Sequence, residues 1–274
     1  MKTFLMGAAL CLAPLWGRGS TVVVLSADLG PYQEAFEGVK ELIPDAQSVT
    51  LKDGKADVGS ADAVIALGGQ AALATYPDSS ALVVAMVADS KVKPARPYIR
   101  VSMLPEASVL FSKMKAIQPG ITSIAAFGVA DSYDAYLKEL GVAAQGAGVR
   151  LITRKVNQVA DLVAALRAIQ GQAQALWIAP DPVLISQATF KLMNDFCLAN
   201  KIGLYAPAAS LANTGALAGV APTFKDIGRA AAKAASSGNA SGNVSSNRCE
   251  IMVNAATASA LGLNIPSGFA SVGE

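Results

Sequence analysis

Short runs of consecutive apolar residues recur along the chain, and each is followed by a turn and an amphipathic helix pattern. The clearest runs are Thr21–Ser26, Ala63–Leu67, Ser123–Phe127 and Ala175–Ala179. A strand that is apolar at every position is buried on both faces, which is typical of parallel strands covered by helices. The alternation therefore predicts right-handed βαβ units, parallel sheets and an α/β fold class.

The strand and helix patterns fall into two similar series, which indicates two lobes rather than one long sheet. The last part of the chain differs from both series. Thr223 and Asp226 predict a capping box for a helix that continues to Ala235. The Gly-, Ser- and Asn-rich stretch Ser236–Asn247 predicts a surface loop, and Glu250–Asn254 predicts a final strand.

The N-terminus resembles an export signal. Lys2 supplies a positive charge, an apolar run extends from Phe4 to Trp16, and small residues follow at Gly17 and Gly19. The run is shorter than the roughly 20 residues that a membrane-spanning helix needs. We expect residues 1–19 to be a signal peptide cleaved after Gly19. A buried N-terminal helix and a lipid anchor at Cys11 are the alternatives.

Charge and cysteine content limit the class of protein. The 274-residue chain carries a formal charge of +2, and residues 1–19 contain Lys2 and Arg18 but no acids, so the cleaved chain would be neutral. A neutral chain without basic clusters is not expected to bind nucleic acid. Cys197 and Cys249 would remain after cleavage, either as a disulfide or as two buried thiols.

The chain contains no histidine. This excludes Ser-His-Asp and Cys-His catalytic sites, and it removes the commonest zinc ligand. The P-loop, zinc-protease and dinucleotide-binding motifs are also missing from the sequence. We therefore expect no catalytic residues, no metal and no cofactor. Catalysis by carboxylates or lysine alone stays open.

Open α/β sheets bind ligands in loops at the carboxyl ends of their strands. Helix N-termini at such loops suit a carboxylate or sulfonate, and an isolated Asp suits an ammonium group. The predicted ligand-binding residues are Asp28, Gly68, Gly69, Gln70 and Asp89 in the first series, and Gly128, Asp131, Ser132, Pro180, Asp181 and Ser210 in the second.

Asp181 is the sharpest of these candidates, because prolines on both sides restrict its backbone. Ordinary structural roles are open for it and for several others. Asp181 would otherwise cap the following helix, and Gly68–Gly69 would form a tight turn. Ser132 and Ser210 are common capping residues. The two tyrosines of the next helix would belong to the core or to an interface; they are Tyr133 and Tyr136.

Three stretches carry a family resemblance: Ala175–Pro182, Ala206–Gly228 and Val253–Pro266. Their order and spacing resemble the ABC transporter substrate-binding family whose better-known members bind aromatic amino acids such as tryptophan. The resemblance implies a type I periplasmic-binding-protein fold, in which two Rossmann-like lobes with parallel sheets are joined by three crossing strands. Such lobes close on a ligand by hinge motion.

The resemblance also implies where the lobes divide. Crossings are expected near Val101–Ser102, Leu217–Val220 and Cys249–Met252. Lobe 1 would then comprise residues 20–101, completed by 218–248. Lobe 2 would comprise residues 103–217, completed by 250–274.

Two positions depart from the family pattern. The usual Gly-Thr turn is Gly68-Gly69 here, and the usual Tyr-Asn-Pro segment is Phe127–Val129. Both changes fall where ligand would be touched, so the aromatic amino-acid assignment does not carry over. Asp181 and Ser210 match the pattern and are expected contacts.

The resemblance implies a function for the whole chain. We expect the periplasmic solute-binding component of an ABC importer, a monomer that captures a small, amino-acid-like solute and delivers it to an inner-membrane permease. The alternatives are a periplasmic sensory module for a membrane receptor and, less favoured, a carboxylate-dependent α/β enzyme.

Overall fold

Two sheets organise the chain in the computed structural model, which describes residues 20–87, 92–128 and 133–272. The first sheet has six strands, all paired in parallel, in the order β11-β5-β4-β3-β1-β2. Its strands are β1 (Thr21–Leu25), β2 (Gln47–Thr50), β3 (Ala63–Leu67), β4 (Ala81–Ala85), β5 (Ile99–Pro105) and β11 (Gly242–Ser246).

Helices cover both faces of the first sheet. They are α1 (Gly30–Lys40), α2 (Gly69–Leu73) and α8 (Phe224–Ala235). Ile65 and Leu67 pack into a core with α1 and α8, while Val64 and Ala66 pack with α2 on the opposite face. All five residues of β3 are buried. This confirms that its continuous apolar run marks a strand buried on both faces.

The second sheet has seven strands in the order β13-β12-β10-β9-β8-β6-β7. Its pairings are parallel except for β10 with β12. The strands are β6 (Ser123–Gly128), β7 (Arg150–Lys155), β8 (Ala175–Ile178), β9 (Gly203–Ala206), β10 (Ala218–Ala221), β12 (Glu250–Asn254) and β13 (Ala270–Val272). The helices of this lobe are α3 (Ala107–Ile117), which precedes β6, and α4 (Asp134–Gly146), α5 (Val159–Ile169), α6 (Pro182–Ile185), α7 (Gln187–Ala199) and α9 (Ala255–Leu261), which follow strands of the sheet.

The chain passes between the two sheets three times. β5 stays in the first sheet as far as Pro105, which pairs with Ser246, so the first crossing lies at Glu106. β10 belongs to the second sheet and α8 to the first lobe, so the second crossing lies at Pro222–Thr223. The third crossing lies between Ser246 and Glu250. The first two crossings are therefore a few residues later than expected, because β5 and β10 each remain paired to their last residue.

The loop prediction for Ser236–Asn247 was wrong, because β11 forms within it. β11 is the edge strand next to β5, and its Val244 pairs with Val101. An edge strand needs fewer apolar residues than a central one, so Gly242–Ser246 carries a weak strand pattern. β13 lies at an edge of the second sheet and was also not predicted.

Two glycines allow α1 and α8 to pack in close contact. A Cβ atom at Gly38 would lie 2.0 Å from the carbonyl oxygen of Lys225. A Cβ atom at Gly228 would lie 1.8 Å from the carbonyl oxygen of Ala35. Any side chain larger than hydrogen would therefore push the two helices apart. This contact returns the chain to the first lobe after the second crossing.

Polar contacts hold the N-terminal half of α8. The predicted capping box is confirmed: Asp226 N donates to Thr223 Oγ1 at 3.0 Å, and Thr223 N donates to an Asp226 carboxylate oxygen at 3.3 Å. Arg229 joins Asp226 to Glu41 at 2.7 and 2.5 Å, and Lys225 pairs with Glu41 at 2.6 Å. These cations hold the pKa of Glu41 at about 2, below its usual range.

Cys197 and Cys249 are both free thiols, and Cys197 alone of the two is fully buried. Burial raises the pKa of Cys249 to about 11, so its thiol is protonated at neutral pH. The signal-peptide and lipid-anchor predictions fall on residues 1–19, which lie outside the described residues. Within the described part of the chain, no helix combines the length and the apolar character that crossing a membrane requires.

Substitution of Gly228 by Ala should destabilise the protein. The added methyl group would overlap the Ala35 carbonyl, and overpacking of this kind costs about 1–3 kcal/mol or more in the free energy of unfolding. Gly141→Ala in α4 is the matched control, because no neighbouring atom lies within 4 Å of its Cβ position. It should stabilise its helix by about 0.5–1 kcal/mol. Urea denaturation measures both, and equal stability of the two variants would contradict the close contact.

Acid should weaken the contact between α1 and α8. The pKa of Glu41 is about 2 in the folded protein and about 4.3 in an unfolded chain, so the contribution of its carboxylate to stability is complete above about pH 5. That contribution is lost as the pH falls from about 4 towards 2. Glu41→Gln should therefore reduce the loss of stability over this range, measured by denaturation at each pH. Glu37→Gln, in the last turn of α1, should keep the acid dependence of the wild type, and identical profiles for all three proteins would refute the assignment.

Candidate functional site

A cleft of about 690 Å³ lies between the two sheets, beside the three crossings. Strand ends point into it from both lobes: Val87 follows β4, Pro180 follows β8 and Pro207 follows β9. This is the position at which open parallel sheets bind ligands. The crossings contribute further lining residues, which are Leu104, Ala221, Pro222, Thr223 and Glu250.

Two tyrosines of the second lobe line the cleft with fixed hydroxyl groups. Tyr133 Oη donates to the carbonyl oxygen of Pro180 at 2.7 Å, and Tyr136 Oη donates to that of Pro105 at 2.8 Å. Burial and the Asp181 carboxylate raise the pKa of Tyr133 to about 12, so the hydroxyl stays protonated. The Tyr136 ring also packs against buried Trp177, with 5.5 Å between ring centroids. The pair thus belongs to the core and to the cleft wall together.

Asp181 caps the helix that follows it, which is the structural role given above as the alternative to ligand binding. Its carboxylate accepts a hydrogen bond from Val183 N at 2.8 Å at the start of α6. The neighbouring residue Pro180 lines the cleft, while Asp181 itself lies outside the cleft lining and near Tyr133. A ligand contact at Asp181 therefore stays a prediction.

Ser210 lines the cleft from the 3-10 helix Ala209–Thr214, which follows β9. Gly219 allows this helix to lie against β10, because a Cβ atom at Gly219 would be 2.1 Å from the Ala208 carbonyl oxygen. The Ser210 side chain is exposed to the cleft. Of the predicted residues, Pro180 and Ser210 are therefore brought to the same cavity.

The other predicted residues in the described chain lie off the cleft lining. Gly68 forms a tight turn with φ +95°, and a Cβ atom there would lie 2.5 Å from Ser26 Oγ and 2.6 Å from Tyr32 Oη. Asp28 accepts a hydrogen bond from Gln33 Nε2 at 2.7 Å. Neither Asp28 nor Gly68 lines the cavity. The same holds for the remaining candidates in the described chain, which are Gly69, Gln70 and Gly128. Asp89, Asp131 and Ser132 lie outside the described residues.

Four polar residues of the first-lobe wall were missed by the sequence analysis. Arg100 and Ser102 lie on β5, and Asn243 and Ser245 lie on β11; all four line the cleft. The signal was present in the alternation of Ile99–Pro105, where Arg100 and Ser102 alternate with buried or apolar neighbours. Asn243 and Ser245 fall in the segment that was predicted to be a loop.

The charges of the cleft are unevenly distributed. Arg100 is the one cation among the described lining residues, while Glu34, Glu139 and Glu250 are acids. No group of three His, Cys, Asp or Glu side chains is placed to hold a metal ion in the part of the chain that the structure describes. The arrangement offers an apolar, partly aromatic cavity with a cation on one wall, which suits binding of a small organic molecule.

The sequence pattern of a family described as ABC transporter substrate binding protein matches residues 82–270, well over half of the chain. No curated protein matches the chain at a significant level.

Several solved structures share the fold at low sequence identity. A substrate binding protein with adhesive properties from Clostridium difficile, in its ligand-free open structure, has a TM-score of 0.63 at 15% identity, covering 93% of this chain and 99% of that one. An ABC domain from Streptococcus pneumonia in complex with L-Trp has a TM-score of 0.53 at 16% identity, covering 91% and 96%. A conserved domain protein from Vibrio cholerae has the same values as the latter.

The structure and these similarities confirm the predicted fold class, a two-lobed α/β protein of the type I periplasmic-binding-protein kind. They also confirm the resemblance stated from the sequence, because the matched pattern is that of the same family. The chain therefore belongs to the ABC transporter substrate binding protein family.

Proposed function

We propose that this chain is the periplasmic solute-binding component of an ABC importer and that it captures a small, amino-acid-like solute without catalysis. The observation that carries the proposal is the cleft itself, which residues of both lobes line beside the three crossings. A ligand that contacts both walls binds the closed form better than the open form, so it shifts the population towards closure. A closed monomer would then be recognised by an inner-membrane permease.

The chemistry of the walls supports an amino-acid-like solute. Tyr133, Tyr136 and Pro180 offer apolar and aromatic surface on the second lobe. Arg100 lies on the first-lobe wall, and the lining also includes Glu139 of the second lobe and Glu250 at the third crossing. A zwitterion has charges of both signs to match this arrangement.

We expect at least one of the twenty common L-amino acids to stabilise the purified protein against heat. A ligand present at a hundred times its Kd raises the free energy of unfolding by about 2.7 kcal/mol. Small-angle scattering should show a smaller radius of gyration in its presence, because the lobes close. A folded protein that no amino acid stabilises would contradict the solute class, and binding without compaction would contradict hinge closure.

Asp181 offers a test of ammonium recognition that separates charge from capping. Asn is as good an N-cap as Asp, so Asp181→Asn should leave the melting temperature unchanged. If closure brings the carboxylate to the ammonium group, the same change weakens amino-acid binding by about 2–5 kcal/mol, measured by calorimetry.

Two further variants serve as controls for this experiment. Asp181→Ala should lose the same affinity and also about 0.5–2 kcal/mol of stability, because the cap is removed. Asp161→Ala removes the capping box of α5, away from the cleft lining, and should lower stability without changing affinity. Unchanged affinity in Asp181→Asn would leave Asp181 with its capping role alone.

A further inference from the structure

The first-lobe wall of the cleft carries a polar patch formed by four side chains, those of Arg100, Ser102, Asn243 and Ser245. Arg100 and Asn243 are direct partners in the parallel pairing of β5 with β11. Paired residues of neighbouring strands share a face of the sheet, and so do residues two apart on a regular strand such as Arg100 and Ser102. The pairing is irregular between Val244 and Ser246, and Ser245 lies at this irregularity beside the cleft. This explains how the patch arises from two short strands near the first and third crossings.

The guanidinium group of Arg100 is held in place without a counter-ion among the residues that the structure describes. Its Nη2 donates to the carbonyl oxygen of Val92, and the group lies 5.9 Å from the centroid of the Tyr98 ring. It forms no ion pair with any carboxylate of residues 20–87, 92–128 and 133–272. A guanidinium has five N–H donors, so one hydrogen bond leaves most of them available, and Arg100 is one of the residues that line the cleft. A half-buried cation in this state favours an anionic partner.

The neighbours of Arg100 in the patch can complete such a site. The Asn243 amide can donate to an oxyanion, and the Ser245 hydroxyl can do so as well. The Ser102 hydroxyl oxygen accepts from Leu104 N at 3.0 Å, which leaves its own proton available for donation. Elsewhere in the described lining the charged groups are the acids Glu34, Glu139 and Glu250, which repel an anion. An anionic group is therefore directed to the patch and to no other part of the wall.

We propose that this polar patch binds the carboxylate of the solute and that Arg100 is the residue that selects for it. The inference rests on the proposed function and adds to it the position and orientation of the ligand. One guanidinium balances one negative charge, so the patch suits a carboxylate, or a sulfonate of the same charge, better than a doubly charged phosphate. The carboxylate lies against the first lobe, and the rest of the solute extends towards Tyr133 and Pro180.

Calorimetry with matched pairs of probes tests this assignment. The probes are L-tryptophan, L-leucine and L-glutamine, the carboxamide of each, and D-xylose as a neutral solute. For the wild type we expect the acid of the best-bound pair to bind about 30-fold or more tightly than its carboxamide, because only the acid pairs with Arg100. Arg100→Gln should lose that difference, with affinity for the acid falling about 30-fold or more and affinity for the carboxamide little changed. Arg100→Lys should retain part of it, because lysine keeps the charge but not the planar fork.

Arg154→Gln is the matched control, because it removes the same group from an exposed position on β7, away from the cleft. It should bind both probes like the wild type. Equal loss of acid and carboxamide affinity in Arg100→Gln would reduce Arg100 to a structural role and overturn the assignment, as would equal wild-type affinity for the two. Stabilisation by D-xylose alone would also overturn it while leaving solute binding intact. If none of the twenty L-amino acids of the thermal test stabilises the protein and none of these probes binds, the amino-acid-like solute and the carboxylate site are overturned together.

Discussion

The close packing of α1 against α8 is the contact on which the two-lobed arrangement depends. Gly38 and Gly228 each place a hydrogen where any larger group would overlap the backbone of the other helix. The contact brings the chain back to the first lobe after the second crossing, so that β11 can pair with β5 and the third crossing can follow. Without it, the first lobe would lack its last helix and strand, and the cleft would lack part of its first-lobe wall.

The same contact connects stability with the site. The first residues of α8 line the cleft, and the capping box of Thr223 and Asp226 fixes where that helix begins. Arg229 and Lys225 extend the polar contacts to Glu41, the C-cap residue of α1. Hence the position of one cleft wall depends on how α1 and α8 pack on one face of the first sheet. On the opposite wall, the Tyr133 and Tyr136 hydroxyls hold their rings in position by donating hydrogen bonds to the carbonyl oxygens of Pro180 and Pro105.

The chain shares its fold with proteins to which its sequence identity is only 15% and 16%. Fold similarity at this level does not transfer a ligand, because the residues that contact ligand vary on a common scaffold. The chemistry of this cleft must therefore be argued from its own side chains. Its single described cation on the first-lobe wall and its aromatic second-lobe wall are the features that restrict the solute.

The sequence by itself determined the fold class and most of the elements. A wholly apolar run such as Ala63–Leu67 requires helices on both faces of its sheet, and this can be read from the run itself. The spacing of Thr223 and Asp226 fits a capping box, which depends only on residues next to each other in sequence. The lobe boundaries were expected only to within a few residues, because the length of a strand depends on how far its neighbour continues to pair. Tertiary structure alone decided that Gly242–Ser246 is a strand, because its backbone hydrogen bonds to β5 hold it extended and its own composition does not predict a strand. Tertiary structure also decided which residues form the site. Arg100 and Asn243 are far apart in sequence and become neighbours only because β5 pairs with β11. Asp28 and Gly68 were predicted because they follow strands, but they do not line the cavity.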